Sequence, residues 1–98
     1  MNYAQDFVDE LNLKFPEKHF GVDRGRRFDK IVSYRNADCT SASAYAFVER
    51  NTGDLIKAGG WSQPQKDKAG LAVRYRLAEE FDRAIEDADP FGGFLYKR

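Results

Sequence analysis

The 98-residue chain is poor in the residues on which much protein chemistry depends: it has one cysteine, one histidine, one tryptophan, one methionine and three prolines. Cys39 alone can close no internal disulfide, which fits a reducing compartment. With His19 as the sole imidazole, a structural zinc site would need several carboxylates to complete it, so no metal is expected. The same scarcity weakens any nucleophilic mechanism, because Cys39, His19 and Asp38 would have to supply it and no local signature surrounds them. Asp82, Glu86 and Asp89 are expected to be solvated acids on a helix rather than a hydrolytic pair. The expectation is therefore a protein without catalytic residues or a cofactor.

Long apolar runs are missing too. Nothing approaches the roughly 20 residues that cross a bilayer, and Asp6, Asp9 and Glu10 stand where a signal peptide would be basic and then apolar. A cytoplasmic protein that makes no membrane contact is expected. Net charge is zero, from 16 basic and 16 acidic residues, but the signs are segregated. Residues 1–13 carry three acids and no base; residues 14–76 carry thirteen bases against seven acids; residues 77–98 carry three bases against six acids. A basic middle between acidic ends can attract nucleic acid or another anion, or can be neutralised within the fold.

What is abundant supports one folded domain over residues 1–98: the hydrophobic fraction is 42% and the aromatic fraction 14%. Phe7, Val8, Leu11 and Phe15 share one helical face, Asn2 is a ready cap, and Pro16 disfavours helix at Phe15, which predicts a first helix over 3–14. Residues 19–22 and 27–34 read as strands around the Arg24-Gly25 turn, and Ala42–Glu49 as a third strand after a polar loop. Asn51-Thr52-Gly53 provides a left-handed position for a tight reversal into a fourth strand, 54–58. Leu71, Tyr75, Leu77, Phe81, Ile85 and Ala88 recur near helical spacing and predict a second helix over 70–88, stopped by Asp89-Pro90. The expected fold is α+β: an N-terminal helix, a four-stranded antiparallel meander sheet, and a C-terminal helix, with both helices on one sheet face. The other face is then expected to present Arg and Lys from the central strands. Residues 89–98 form an aromatic tail that either folds back over the core or docks on a partner. That tail, or an edge strand, also offers a surface for a homodimer.

The run from Thr52 to Lys66 is the least generic part of the chain. Gly59-Gly60 lacks the following Lys-Ser/Thr of a phosphate-cradling loop, so its expected role is a sharp exit from the fourth strand. Trp61 with Lys57, Lys66, Lys68 and Arg74 is the candidate binding set, because cations meet phosphates while an aromatic face stacks on bases. The alternative is a core tryptophan that anchors the loop, with lysine stems wrapped around it.

The segment Gly53-Asp54-Leu55-Ile56-Lys57-Ala58-Gly59-Gly60-Trp61-Ser62-Gln63-Pro64-Gln65-Lys66 resembles a pattern of small bacteriophage-encoded proteins of unknown function. In that pattern Gly-Asp, two apolar residues, Lys, small residues, Trp, Pro and Lys are often followed by Arg-Gly. Gly70 stands at the final glycine, whereas Ala69 replaces the usual arginine, beside Lys68. The resemblance implies an accessory phage product made inside a bacterial host. Such a product is expected to bind a host protein, with nucleic-acid binding or sequestration of a small anion in the Trp61 loop as alternatives.

Overall fold

Asn2 opens the first helix, as its side-chain oxygen accepts a hydrogen bond from the Gln5 amide at 3.0 Å. A computed structural model describes residues 2–34, 42–61, 63–67, 70–89 and 92–96. Helix α1 runs Tyr3–Lys14 and leaves helical geometry at Phe15, next to Pro16. Ala4, Phe7, Val8 and Leu11 line its buried face. Near its end, Asn12 behaves as a detached piece of strand: its side-chain amide donates to the Phe20 carbonyl at 3.2 Å and its oxygen accepts from the Phe20 amide at 3.0 Å. That pair satisfies part of the edge that the first strand would otherwise present.

The strands follow as β1 His19–Asp23, β2 Phe28–Tyr34, β3 Ala42–Glu49 and β4 Asp54–Lys57, then the short pair β5 Lys66–Asp67 and β6 Gly70–Leu71, then β7 Val73–Arg76. The main sheet is antiparallel in the order β1-β2-β3-β4-β7, and β5 and β6 form a separate two-stranded antiparallel pair. Gly53 sits at φ +76° between β3 and β4, the left-handed position that the reversal requires. The sheet thus has five strands rather than four, and helix α2 spans Leu77–Asp87, so residues 70–76 are strand where helical spacing predicts helix. The reason lies in β4. Leu55 and Ile56 are fully buried and need a neighbour on the outer side, which Tyr75 and Val73 supply in register. In sequence Val73 and Tyr75 also alternate with Arg74 and Arg76, a strand-like pattern hidden beneath the four-residue spacing of Leu71 and Tyr75, although an irregularity at Arg74 turns Val73 toward Ile56 on the second face and Tyr75 toward Leu55 on the helix side.

Helix α2 begins where the chain meets the β3–β4 turn. The Leu77 amide donates to the Gly53 carbonyl at 2.8 Å, and the Arg76 amide donates to the Glu80 carboxylate at 3.1 Å, so the first amides have acceptors without a side-chain cap at Arg76. At the other end Lys14 of α1 closes the helix, its ammonium donating to the carbonyls of Ile85, Glu86 and Ala88 at 2.6, 2.9 and 2.9 Å. A cation on the last carbonyls offsets the negative end of the helix dipole and fastens α1 to α2.

Both helices pack on one face of the sheet, over Phe20, Ile31, Tyr45, Ala46, Val48, Leu55 and Tyr75. The aromatic tail folds back into this layer: a 3-10 helix at Gly93–Tyr96 buries Phe94 and Leu95 in the same core. Asp89 caps it, accepting the Gly93 and Phe94 amides at 2.9 Å each. The second sheet face departs from the expected basic surface. Across it Asp23, Lys30, Phe47, Ile56 and Val73 form one cross-strand row. Val32, Phe47 and Ile56 are buried yet lie outside the helix-side cluster. An apolar row needs a cover, and the excursion between β4 and β7 crosses this face to reach Lys30.

Candidate functional site around Trp61

The excursion starts with a closed triangle of backbone hydrogen bonds. Lys57 donates to the Ala72 carbonyl at 3.2 Å, Ala72 to the Gln65 carbonyl at 2.9 Å, and Gln65 back to the Lys57 carbonyl at 2.8 Å. At this junction β4 exchanges β7 for a new partner, the returning limb of its own loop. Ala58 bridges to Pro64, and the Gly59 amide donates to the Gln63 carbonyl at 2.9 Å, which gives a narrow ribbon with Gly60 and Trp61 near its tip. Gly59 is required by closeness: a Cβ there would stand 2.9 Å from the Gln65 Cα. Of the glycine pair, Gly59 thus serves the sharp exit, whereas a Cβ at Gly60 would meet nothing within 4 Å.

Trp61 is not the loop's anchor in the core, because 52% of its surface is exposed. It is nevertheless held in place. Lys30, whose side chain is only 14% exposed, reaches up from β2, donates to the Trp61 carbonyl at 3.0 Å and sits 3.6 Å from the indole centroid. A largely desolvated ammonium against an aromatic face contributes roughly 1–2 kcal/mol, which orients the ring without burying it. Lys30 is thus the lysine that organises the loop, and it lies thirty-one residues from Trp61 in sequence.

The ribbon and sheet enclose a groove of about 440 Å³. Ala42, Ser43 and Ala44 of β3 line one side, Lys57 to Trp61 the other, and Gly92 and Leu95 close one end. The small residues of β3 keep this side shallow, while the half-exposed indole forms the opposing lip. Tyr45 lies at the inner wall, its hydroxyl donating to the Asp89 carbonyl at 2.6 Å. Burial, and next the Asp89 carboxylate, push the Tyr45 phenol well above its ordinary value of 10.0. Because the folded-state value is the higher one, this contribution to stability is complete below the unfolded value and is lost as pH rises through the folded one. Stability is therefore expected to fall in alkali above about pH 10. Tyr45→Phe should cost about 1 kcal/mol at neutral pH and flatten that decline in urea titrations.

The binding set expected from sequence is only partly assembled. Trp61 and half-buried Lys57 share the groove. Lys66 is exposed on β5, beyond the triangle. Arg74 occupies the irregular position in β7 opposite Leu55 and Ile56 and donates from Nε to the Leu95 carbonyl at 2.8 Å, so it fastens the tail. Lys68 lies outside the described residues, as does Cys39. Sequence reasoning missed Lys30 here, and it missed the arginines of the β1–β2 turn, whose signal is the run Arg24-Gly25-Arg26-Arg27. There Arg27 donates to Glu49 at 2.6 Å, and this bond is the main cause of a Glu49 carboxyl held below its ordinary value. Among the described residues no three His, Cys, Asp or Glu side chains converge on a metal-sized site, and no helix is long and apolar enough to cross a membrane.

The fold and groove define a small α+β protein with a five-stranded antiparallel sheet, two helices on one face and a tryptophan-tipped ribbon on the other. The chain belongs to a family of unknown function, DUF7717, whose model matches residues 1–97. Neither the curated proteins nor the solved structures yield a match.

Proposed function

We propose that the chain is a non-enzymatic accessory phage protein that captures a host protein through the Trp61 groove. The observation that carries this reading is the exposure of a fixed tryptophan: 52% of Trp61 faces solvent while Lys30 holds its carbonyl and its ring. A large aromatic held in one orientation loses little entropy on binding, and tryptophan is among the residues most enriched at the energetic centres of protein interfaces. The neighbouring groove offers room for a partner side chain beside the indole. The phage assignment rests on the Gly53–Lys66 pattern. The tail no longer motivates the reading, because Phe94 and Leu95 are spent on the core.

A photo-crosslinking amino acid placed at Trp61, and separately at Leu13, tests it. Leu13 is 75% exposed on α1 and serves as an equally accessible control. The expected result is one discrete crosslinked host protein from position 61 and none from position 13. Identical, diffuse crosslinking at both positions would sink the proposal.

A further inference from the structure

The two ends of the β2–β3 pair are chemically different. The Trp61 groove lies toward Tyr34 and Ala42, whereas the opposite end, where Phe28 faces Glu49, opens into a cavity of about 470 Å³. Arg24, Arg26 and Arg50 line it together with Asn2, Tyr3 and Ala4 at the start of α1. We propose that this cavity is a second binding site, which takes a small phosphorylated ligand of nucleotide size.

The arginines carry the argument. Arg24 and Arg26 are exposed and make no hydrogen bond or ion pair among the described residues. Arg50 is instead pre-positioned: Nη1 donates to the Gly25 carbonyl at 2.9 Å, and Nε lies 3.6 Å from Asp29. Asp29 is the single carboxylate among the described residues of the wall, is buried, and turns its Oδ1 to both Arg50 and the Gly25 amide. Three guanidinium groups against one engaged carboxylate leave the cavity positive. Planar forks of donors match phosphoryl oxygens better than a point charge does. The α1 terminus adds to this, since the Tyr3 and Ala4 amides precede the first backbone bond of the helix, from Asp6 to Asn2.

Shape and surroundings favour a small ligand over a nucleic-acid strand. The arginines converge on a cavity whose volume is ordinary for small-molecule sites. On the other side of Tyr3 lies a hollow lined by Asp6, Asp9 and Glu10, which would repel the next phosphates of a polyanion.

Calorimetric titration of the whole chain with ATP, inorganic triphosphate, sulfate and a single-stranded oligonucleotide tests the proposal. ATP and triphosphate are expected to bind saturably at moderate salt, and sulfate much more weakly. Arg24→Ala combined with Arg26→Ala should weaken ATP by about 100-fold, taking about tenfold for each charge-assisted contact. The melting temperature without ligand should not change, because neither side chain bonds to any of the described residues. Trp61→Ala should leave ATP affinity intact, which separates failure of this site from failure of the partner groove. Absence of saturable ATP binding, sulfate binding equal to triphosphate, or an oligonucleotide that binds more tightly than ATP with a steep salt dependence would each overturn the proposal.

Discussion

Replacing Phe94 and Leu95 together by alanine is expected to leave the protein mostly unfolded at room temperature. Both side chains are buried in the helix-side core, and the Phe94 ring packs 6.1 Å from Tyr45 and 5.6 Å from Tyr75. Single truncations of this kind cost about 3–5 kcal/mol for phenylalanine and about 2–5 kcal/mol for leucine. Adjacent sites do not add strictly, but a combined loss of roughly 5–8 kcal/mol reaches the lower half of the 5–15 kcal/mol typical of a whole domain. The loss should spread beyond the two residues. Arg74 donates to the Leu95 carbonyl, and Asp89 holds both the Gly93 and Phe94 amides while its carbonyl accepts from Tyr45. Urea unfolding followed by near- and far-ultraviolet circular dichroism checks this, and a loss below about 2 kcal/mol would show the tail to be a peripheral flap. Removing residues 90–98 to test partner capture would therefore confound binding with folding. A change at Trp61 does not carry that cost.

The parts of the fold that were legible in the sequence are those decided by local chemistry. Asn2, Pro16 and the Phe7-Val8-Leu11 spacing mark α1 at both ends, and Ala42–Glu49 is legible as β3, although a register irregularity leaves Tyr45 unpaired and turns it to the helix side with Ala46 and Val48 instead of beside Phe47. Gly53 announces the reversal that follows. The fifth strand was not legible, because residues 71–77 satisfy a helical spacing and a strand alternation at once. The arbiter was tertiary: two buried residues of β4 lacked a neighbour. The state of Trp61 was illegible for a related reason. A lone tryptophan in a small domain is usually buried, and only the docking of the ribbon against Lys30 leaves it half outside. The arginine cavity draws on residues 2–4, 24–29 and 48–51, so no sequence window contains it. The charge segregation, by contrast, does have a spatial counterpart. Acids of α1 line the hollow beside α2, while the middle segment supplies the arginines of the opposite side of Tyr3.

Phe7→Ala is expected to produce the largest loss of any single truncation in α1, about 3–5 kcal/mol. Phe7 is fully buried, and its ring meets Phe81 of α2 edge to face, with centroids 5.9 Å apart and planes at 87°. Such a pair contributes roughly 0.5–1.5 kcal/mol beyond the area it buries. It also links the two helices, as does the Lys14 clasp on the last carbonyls of α2. Deleting the ring leaves a cavity between two helices that the sheet cannot fill from below, since Ile31, Val48 and Leu55 are already packed there. Phe81→Ala should cost less, because Phe81 is only partly buried against the core. Leu13→Ala, on the exposed face of the same helix, should stay within about 0.5 kcal/mol of the parent protein. Urea midpoints for the three variants give the comparison directly, and equal losses at Phe7 and Leu13 would mean that α1 does not dock by this face. Because Asn2, Tyr3 and Ala4 at the start of α1 line the arginine cavity, Phe7→Ala measured below its unfolding midpoint should bind ATP more weakly than the parent, whereas Leu13→Ala should not. Coupling of that kind would place the helix in both the core and the second site, through Phe7, Val8 and Leu11 in the core and Asn2, Tyr3 and Ala4 at its start rather than through one contact.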